Sequence, residues 1–155
     1  MKNRISKVEG FSLAEVIMVT AITVIIVAIV AVSLSGTRSK KQLQVTTDAI
    51  DARLEEAKAS ALSGKNGSNY GVQFSSTTYT YFSGSSYNPN DASNNTVTIP
   101  SNLSIYTQIT GGGTGIIFSR LTGTPQNYGL INIRSSNNSS TTISIGALGD
   151  INVIK

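Results

Sequence analysis

The sequence predicts an α+β protein: a long N-terminal helix packed on a small antiparallel β-sheet domain. Three observations carry this. Residues 11–35 hold no Gly and no Pro, so nothing interrupts a helix there. Residues 43–61 place apolar side chains at helical spacing. From residue 70 onward, short β-prone runs alternate with Gly-, Asn- and Ser-rich breaks. The length of 155 residues suits about one ordinary domain.

Residues 1–10 (MKNRISKVEG) form a short basic leader. Residues 11–35 (FSLAEVIMVTAITVIIVAIVAVSLS) carry one charge, Glu15. From Val16 to Leu34 only Thr20, Thr23 and Ser33 are polar. That run is close to the ~20 residues needed to cross a hydrocarbon core of about 30 Å. Backbone polar groups in lipid must be satisfied within the segment, which leaves helix as the sensible state. Residues 11–35 are therefore read as a transmembrane or filament-core helix.

Residues 36–64 read as the amphipathic half of the same helix. Leu43, Ile50, Leu54, Ala57 and Ala61 recur at steps of 7, 4, 3 and 4. Asp48, Asp51, Glu55, Glu56 and Lys58 fall mostly off that stripe, and Glu55 can pair with Lys58 at i,i+3. Gly36 alone weakens the helix between the two halves, at a cost of about 1 kcal/mol. The helix is expected over 12–63. Ser63-Gly64-Lys65-Asn66-Gly67 ends it with a C-cap glycine and a turn.

Residues 65–155 form the β-rich domain. The expected strands are YGVQF (70–74), TYTYF (78–82), TVTI (96–99), LSIYTQI (103–109), GIIF (115–118), GLINIR (129–134), TTISI (141–145) and INVIK (151–155). Alternation with polar partners suits antiparallel sheet with one wet face. Residues 83–95 and 111–115 are loops, the latter (GGGTG) expected to be a hairpin loop.

Composition excludes several functions. The chain has no Cys, which removes disulfides and thiol chemistry. It has no His, so the usual general base and the commonest transition-metal ligand are missing. Ser and Thr abound without a group to activate them, and Glu55 and Glu56 are helical neighbours whose side chains diverge. The chain is not expected to be an enzyme, and no cofactor or metal is expected. Asp91-Ala-Ser93-Asn-Asn95 lacks the Gly and terminal Glu of a calcium loop and reads as a solvated turn.

The net charge of +4 is not a nucleic-acid footprint. Lys2, Arg4 and Lys7 precede the apolar run, and Arg38, Lys40 and Lys41 follow it. From Asn66 onward only Arg120, Arg134 and Lys155 stand against Asp91 and Asp150. Two isolated arginines are a poor phosphate-binding surface. Cations flanking an apolar segment fit lipid headgroups. Tyr70, Tyr79, Tyr81, Tyr87 and Tyr106, five of the six tyrosines, read as sheet-face packing, with adhesion as the alternative for any that are exposed.

Glu15 is the anomaly, because an acid in hydrocarbon costs a few kcal/mol. An ordinary signal peptide would have a shorter apolar core and a cut near Ala31 to Ser35. A plain single-pass anchor explains the length and not the carboxylate. A third reading has the chain cut between Gly10 and Phe11. Phe11 then carries a free α-amine, and Glu15 lies near a helix N-terminus, where the dipole favours it. A neighbouring copy's new amine can be its cationic partner. Thr20 and Thr23 either bond between packed helices or, as preferred here, bond their own i−4 carbonyls.

The stretch K-V-E-G-F-S-L-A-E-V-I-M-V (7–19) resembles the processing site of type IV pilins and the pseudopilins of type II secretion. In that family a basic leader ends in Gly, an aromatic residue follows, and Glu stands at the fifth mature position. The resemblance implies cleavage after Gly10, N-methylation of Phe11 by a prepilin peptidase, and an assembly role for Glu15. It implies other pilin or pseudopilin subunits, membrane lipid, and an inner-membrane platform and ATPase as partners. It places the chain in the bacterial inner membrane as a single-pass protein with its C-terminal domain periplasmic or extracellular, then in a pilus or pseudopilus. The later segments Arg53-Leu-Glu-Glu-Ala-Lys-Ala-Ser-Ala, Asn69-Tyr-Gly-Val-Gln-Phe74 and Gly149-Asp-Ile-Asn-Val153 resemble the minor branch, the type II secretion "H" and FimT-like group. The implied function is a structural subunit. The alternative is a membrane-anchored binding or adhesion module that does not polymerise.

Overall fold

The computed structural model describes residues 11–154, with the side chains of 30–36 outside that description. The leader 1–10 and Lys155 lie outside it as well. The chain divides into two units, one ending at Thr37 and one spanning Arg38 to Lys155.

Helix α1 is Leu13–Leu62. Its beginning and end follow from local chemistry. Ser12 precedes the first turn and its carbonyl accepts the Glu15 and Val16 N–H groups at 3.0 and 3.2 Å. At the other end the Ser63 N–H reaches Ala59 O, and Gly64 adopts the left-handed conformation at φ 63 that ends a helix without a Cβ clash. A short 3₁₀ turn, Lys65–Gly67, follows.

In the second unit the sequence stripe becomes the buried face of α1. Ile50, Leu54, Ala57 and Ala61 are fully buried and Leu43 nearly so. At Ala61 the helix backbone is reached by the segment after the fifth strand run, the Leu121 N–H donating to Ala61 O at 2.8 Å. Thr47, also buried on this face, donates to Leu43 O at 2.8 Å, which removes the cost of an unpaired hydroxyl.

Eight strands follow: β1 (Tyr70–Phe74), β2 (Thr78–Ser83), β3 (Asn95–Thr98), β4 (Leu103–Ile109), β5 (Gly115–Phe118), β6 (Gly129–Ser135), β7 (Ser140–Ile145) and β8 (Ile151–Ile154). They make two four-stranded sheets, ordered β3-β2-β1-β5 and β4-β6-β7-β8, with every pairing antiparallel. The α+β class is as predicted; the division into two sheets is new. It also corrects the hairpin expected at 111–115. β4 pairs with β6 and β5 pairs with β1, so Gly111 to Gly115 carry the chain from one sheet to the other.

One apolar cluster joins α1 to both sheets. The first sheet contributes Val72, Phe74, Ile116 and Phe118, and the second Ile105, Ile131, Ile133, Ile143 and Ile145. Each fully buried aliphatic side chain is worth about 1.5–3 kcal/mol of transfer free energy. Gly71, in the middle of β1, is where packing leaves no room. A Cβ there would stand 2.5 Å from Ile116 O and 2.9 Å from Phe82 Cζ.

The expected Glu55–Lys58 pair is not the ion pair that forms. Arg53 Nη1 meets Glu56 Oε2 at 2.7 Å instead. A single contact joins them and both side chains stay partly solvated, so the pair is worth only a few tenths of a kcal/mol.

Candidate functional site

The first unit presents Phe11 and Glu15 at the start of α1. Glu15 is exposed and sits in the first turn, where N–H groups lack helical partners and the dipole favours an anion. Phe11 precedes the helix and is 82% exposed. Gly10 lies outside the described residues, so the expected cleavage bond is not part of the described geometry.

Beyond Glu15 the helix is apolar on every side and exposed on every side. Val16, Ile17, Met18, Val19, Ile22, Val24, Ile25, Ile26, Val27 and Ile29 are all about half or more exposed. A helix that is apolar all round needs another apolar phase around it, either lipid or other helices. So large an apolar surface is far beyond the scattered exposure normal in a monomer. The two threonines add no polar stripe. Thr20 Oγ1 donates to Ile17 O at 2.9 Å and Thr23 Oγ1 to Val19 O at 2.8 Å, so their hydroxyls bond within their own helix. Thr23 follows the expected i−4 pattern, and Thr20 uses i−3.

Among the described residues no helix is long and apolar enough to cross a membrane. The part of the expected span with described side chains, 16–29, covers about 21 Å of helix against a core of about 30 Å. The remainder, 30–34, has its side chains outside the described residues.

Ser12 escaped the sequence reading. It stands immediately before the helix and three residues before Glu15, the Ser-x-x-Glu spacing of a capping box. That spacing was the available signal. It shows that Glu15 is also well suited to a helix start, apart from any contact with another chain.

The other candidates disperse. Asp91 accepts from both the N–H and the hydroxyl of Ser93 at 2.8 Å, forming a turn. The backbone bond above all, then the hydroxyl bond, holds its carboxyl below the usual carboxylate range. Among the described residues no cluster of three His, Cys, Asp or Glu is placed to hold a metal. Arg120 follows β5 in the first sheet, its N–H bonded to Asn69 Oδ1, whereas Arg134 lies on β6 of the second, 5.9 Å over the Tyr106 ring. Tyr70 and Tyr79 are buried as expected of packing residues, Tyr87 stacks edge-on against Phe82 at 5.3 Å, and Tyr106 is 54% exposed.

No protein-family model matches the chain, and no curated protein matches it. The fold does have a relative among solved structures: a long helix with its C-terminal half laid on small antiparallel sheets is a pseudopilin-like architecture. The neighbour is the minor pseudopilin EpsH from the type 2 secretion system of Vibrio cholerae. The similarity covers 73% of this chain and 96% of that chain, at a TM-score of 0.57 and 13% sequence identity. At that identity the likeness speaks for the fold.

Proposed function

We propose that this chain is a structural subunit, a minor pilin or pseudopilin, of a type IV filament-type machine. It is processed after Gly10, methylated at Phe11 and assembled through α1. The observation that carries the proposal is the apolar helix exposed on all sides with a single carboxylate, Glu15, in its first turn. The pseudopilin-like fold supports the same reading, as does the 7–19 motif. The likeness to EpsH favours the minor, H-like branch and a secretion pseudopilus.

In this mechanism the subunit waits in the inner membrane, held by the run 16–34 with its β-domain on the periplasmic side. Cleavage creates a cationic amine on Phe11. Glu15 of one copy receives the amine of the next, which neutralises a carboxylate that would otherwise be costly to bury. The apolar surface of α1 then exchanges lipid for neighbouring helices. A platform and an ATPase supply the work of extraction.

Mass spectrometry of the mature chain tests the first step, with N-methylated Phe11 expected at the terminus. A terminus near Ser35 or Gly36 would indicate ordinary signal cleavage and end the proposal. Glu15→Val tests the second step: membrane insertion persists and incorporation into filaments is lost. Incorporation equal to the parent would overturn the role given to Glu15, whereas a parent that never enters a filament would favour a tethered module that does not polymerise.

A further inference from the structure

Strand register sorts the side chains of the second sheet onto two faces. Ile105, Ile131, Ile133, Ile143 and Ile145 are buried in the core, so the residues between them form the outer face. The pairings place Ser104, Arg134 and Ser140 in one row across β4, β6 and β7, and Tyr106, Asn132 and Thr142 in the next. Tyr106 is 54% exposed. The Arg134 guanidinium stands over its ring, 5.9 Å from the centroid. Two hollows meet at this pair. One of about 300 Å³ runs toward Gln108 and Asn132, and one of about 230 Å³ runs toward Ser104 and Asn138.

Polar groups in the hollows are set for a ligand. Thr142 Oγ1 donates to Asn132 Oδ1 at 2.6 Å, which fixes the amide and keeps its Nδ2 donors for another partner. Arg134 has no ion pair among the described residues, and no acid lines either hollow. Asp150 precedes β8, two strands and about 10 Å from β6. These features select among ligands. A saccharide offers a C–H face to the electron-rich ring of Tyr106, and hydroxyls that both donate and accept, as amides do. A carboxylate on the sugar suits the guanidinium fork. An extended peptide would pair its backbone at a sheet edge, whereas β6 and β7 are already paired on both sides. A nucleic acid needs more than one cation. An apolar partner would find polar side chains around a single ring.

We propose that this outer face of the second sheet binds an acidic saccharide, a chain of linked sugars that bears uronic acid units. Tyr106 carries a sugar ring, Arg134 takes a carboxylate, and Asn132 and Gln108 take the flanking hydroxyls. Hollows on both sides of the Tyr106–Arg134 pair suit a chain of sugars better than a single one. The site lies within the β-domain and uses neither Phe11 nor Glu15. It therefore goes beyond the filament reading and stands equally in a tethered module.

The test uses the full-length chain in detergent micelles, titrated calorimetrically with oligogalacturonate, oligomannuronate and hyaluronan fragments. Saturable binding of at least one is expected, and failure of all three overturns the proposal. Tyr106→Ala should weaken that binding about five- to tenfold, and Tyr106→Phe, which keeps the ring, should hold it within about twofold. Arg134→Gln should weaken it about tenfold and erase the preference over a neutral cello-oligosaccharide. Both side chains are exposed, so each variant should fold, with Tm equal to the parent's as the check. Tyr106→Ala and Arg134→Gln proteins that bind as well as the parent would place the ligand elsewhere and overturn the proposal. Polyglutamate bound as tightly as the uronates, with no loss in Tyr106→Ala, would reduce the effect to charge attraction and overturn it also.

Discussion

The Tyr81 hydroxyl donates to Ser60 Oγ at 3.0 Å, tying β2 to the last turns of α1. Burial raises the Tyr81 pKa above its ordinary value of 10.0, against the opposing effects of the hydrogen bond to Ser60 and the charge of Lys65. A phenol whose pKa is raised on folding binds its proton more tightly in the native state. Its contribution is fully present below pH 10 and is lost as pH rises through the folded value. Thermal unfolding followed between pH 8 and pH 11 should show the parent losing stability above pH 10 more steeply than Tyr81→Phe. At neutral pH the same substitution costs about 1 kcal/mol, the usual worth of one such bond.

Asp51 predicts the opposite balance at neutral pH. Its carboxyl is raised by burial and by Glu55 and Asp48, so its ionised form is a liability in the folded state. Stability is expected to rise as pH falls through the folded value toward the ordinary 3.8, with no further gain below both. Asp51→Asn should therefore raise Tm slightly at pH 7, and the advantage should vanish below about pH 4. A lower Tm for the variant at pH 7 would contradict the like-charge account.

Leu54 is fully buried on the α1 stripe, among residues of both sheets. Leu54→Ala should cost about 2–5 kcal/mol, because the two sheets cannot collapse onto the lost volume independently. Urea unfolding gives the value directly, with the m-value unchanged if the two-state character persists.

Gly71→Ala tests the close approach of β1 to β5 and to Phe82. The added methyl meets the Ile116 carbonyl, which is backbone and held in its ladder, and the Phe82 ring. Overpacking of this kind costs about 1–3 kcal/mol. A variant as stable as the parent in urea would show that β5 yields more easily than its pairing implies.

Much of the fold was legible because its signals are local. The stripe from Leu43 to Ala61, the Gly64 stop and all eight β-prone runs follow from spacing and from residue chemistry within a few positions. At the candidate site Phe11 and Glu15 stood out because a charge before a long apolar run is conspicuous, while Ser12 was overlooked because a polar residue at a helix start is ordinary. The pairing of Arg53 with Glu56 rather than Glu55 with Lys58 was not legible, since both spacings are allowed and side-chain placement chooses between them.

The sequence alone determined that a helix free of breakers begins near Glu15, that its later half is amphipathic, and that the rest alternates as strand. Tertiary structure decided which strands meet. β4 joins β6 across a gap in which the chain leaves for β5 in the other sheet, and period-two alternation is the same for either partner. Strand partnership is non-local: it is settled by which faces can bury Ile131, Ile143, Val72 and Ile116 together against Leu54, and no short window of residues contains that competition.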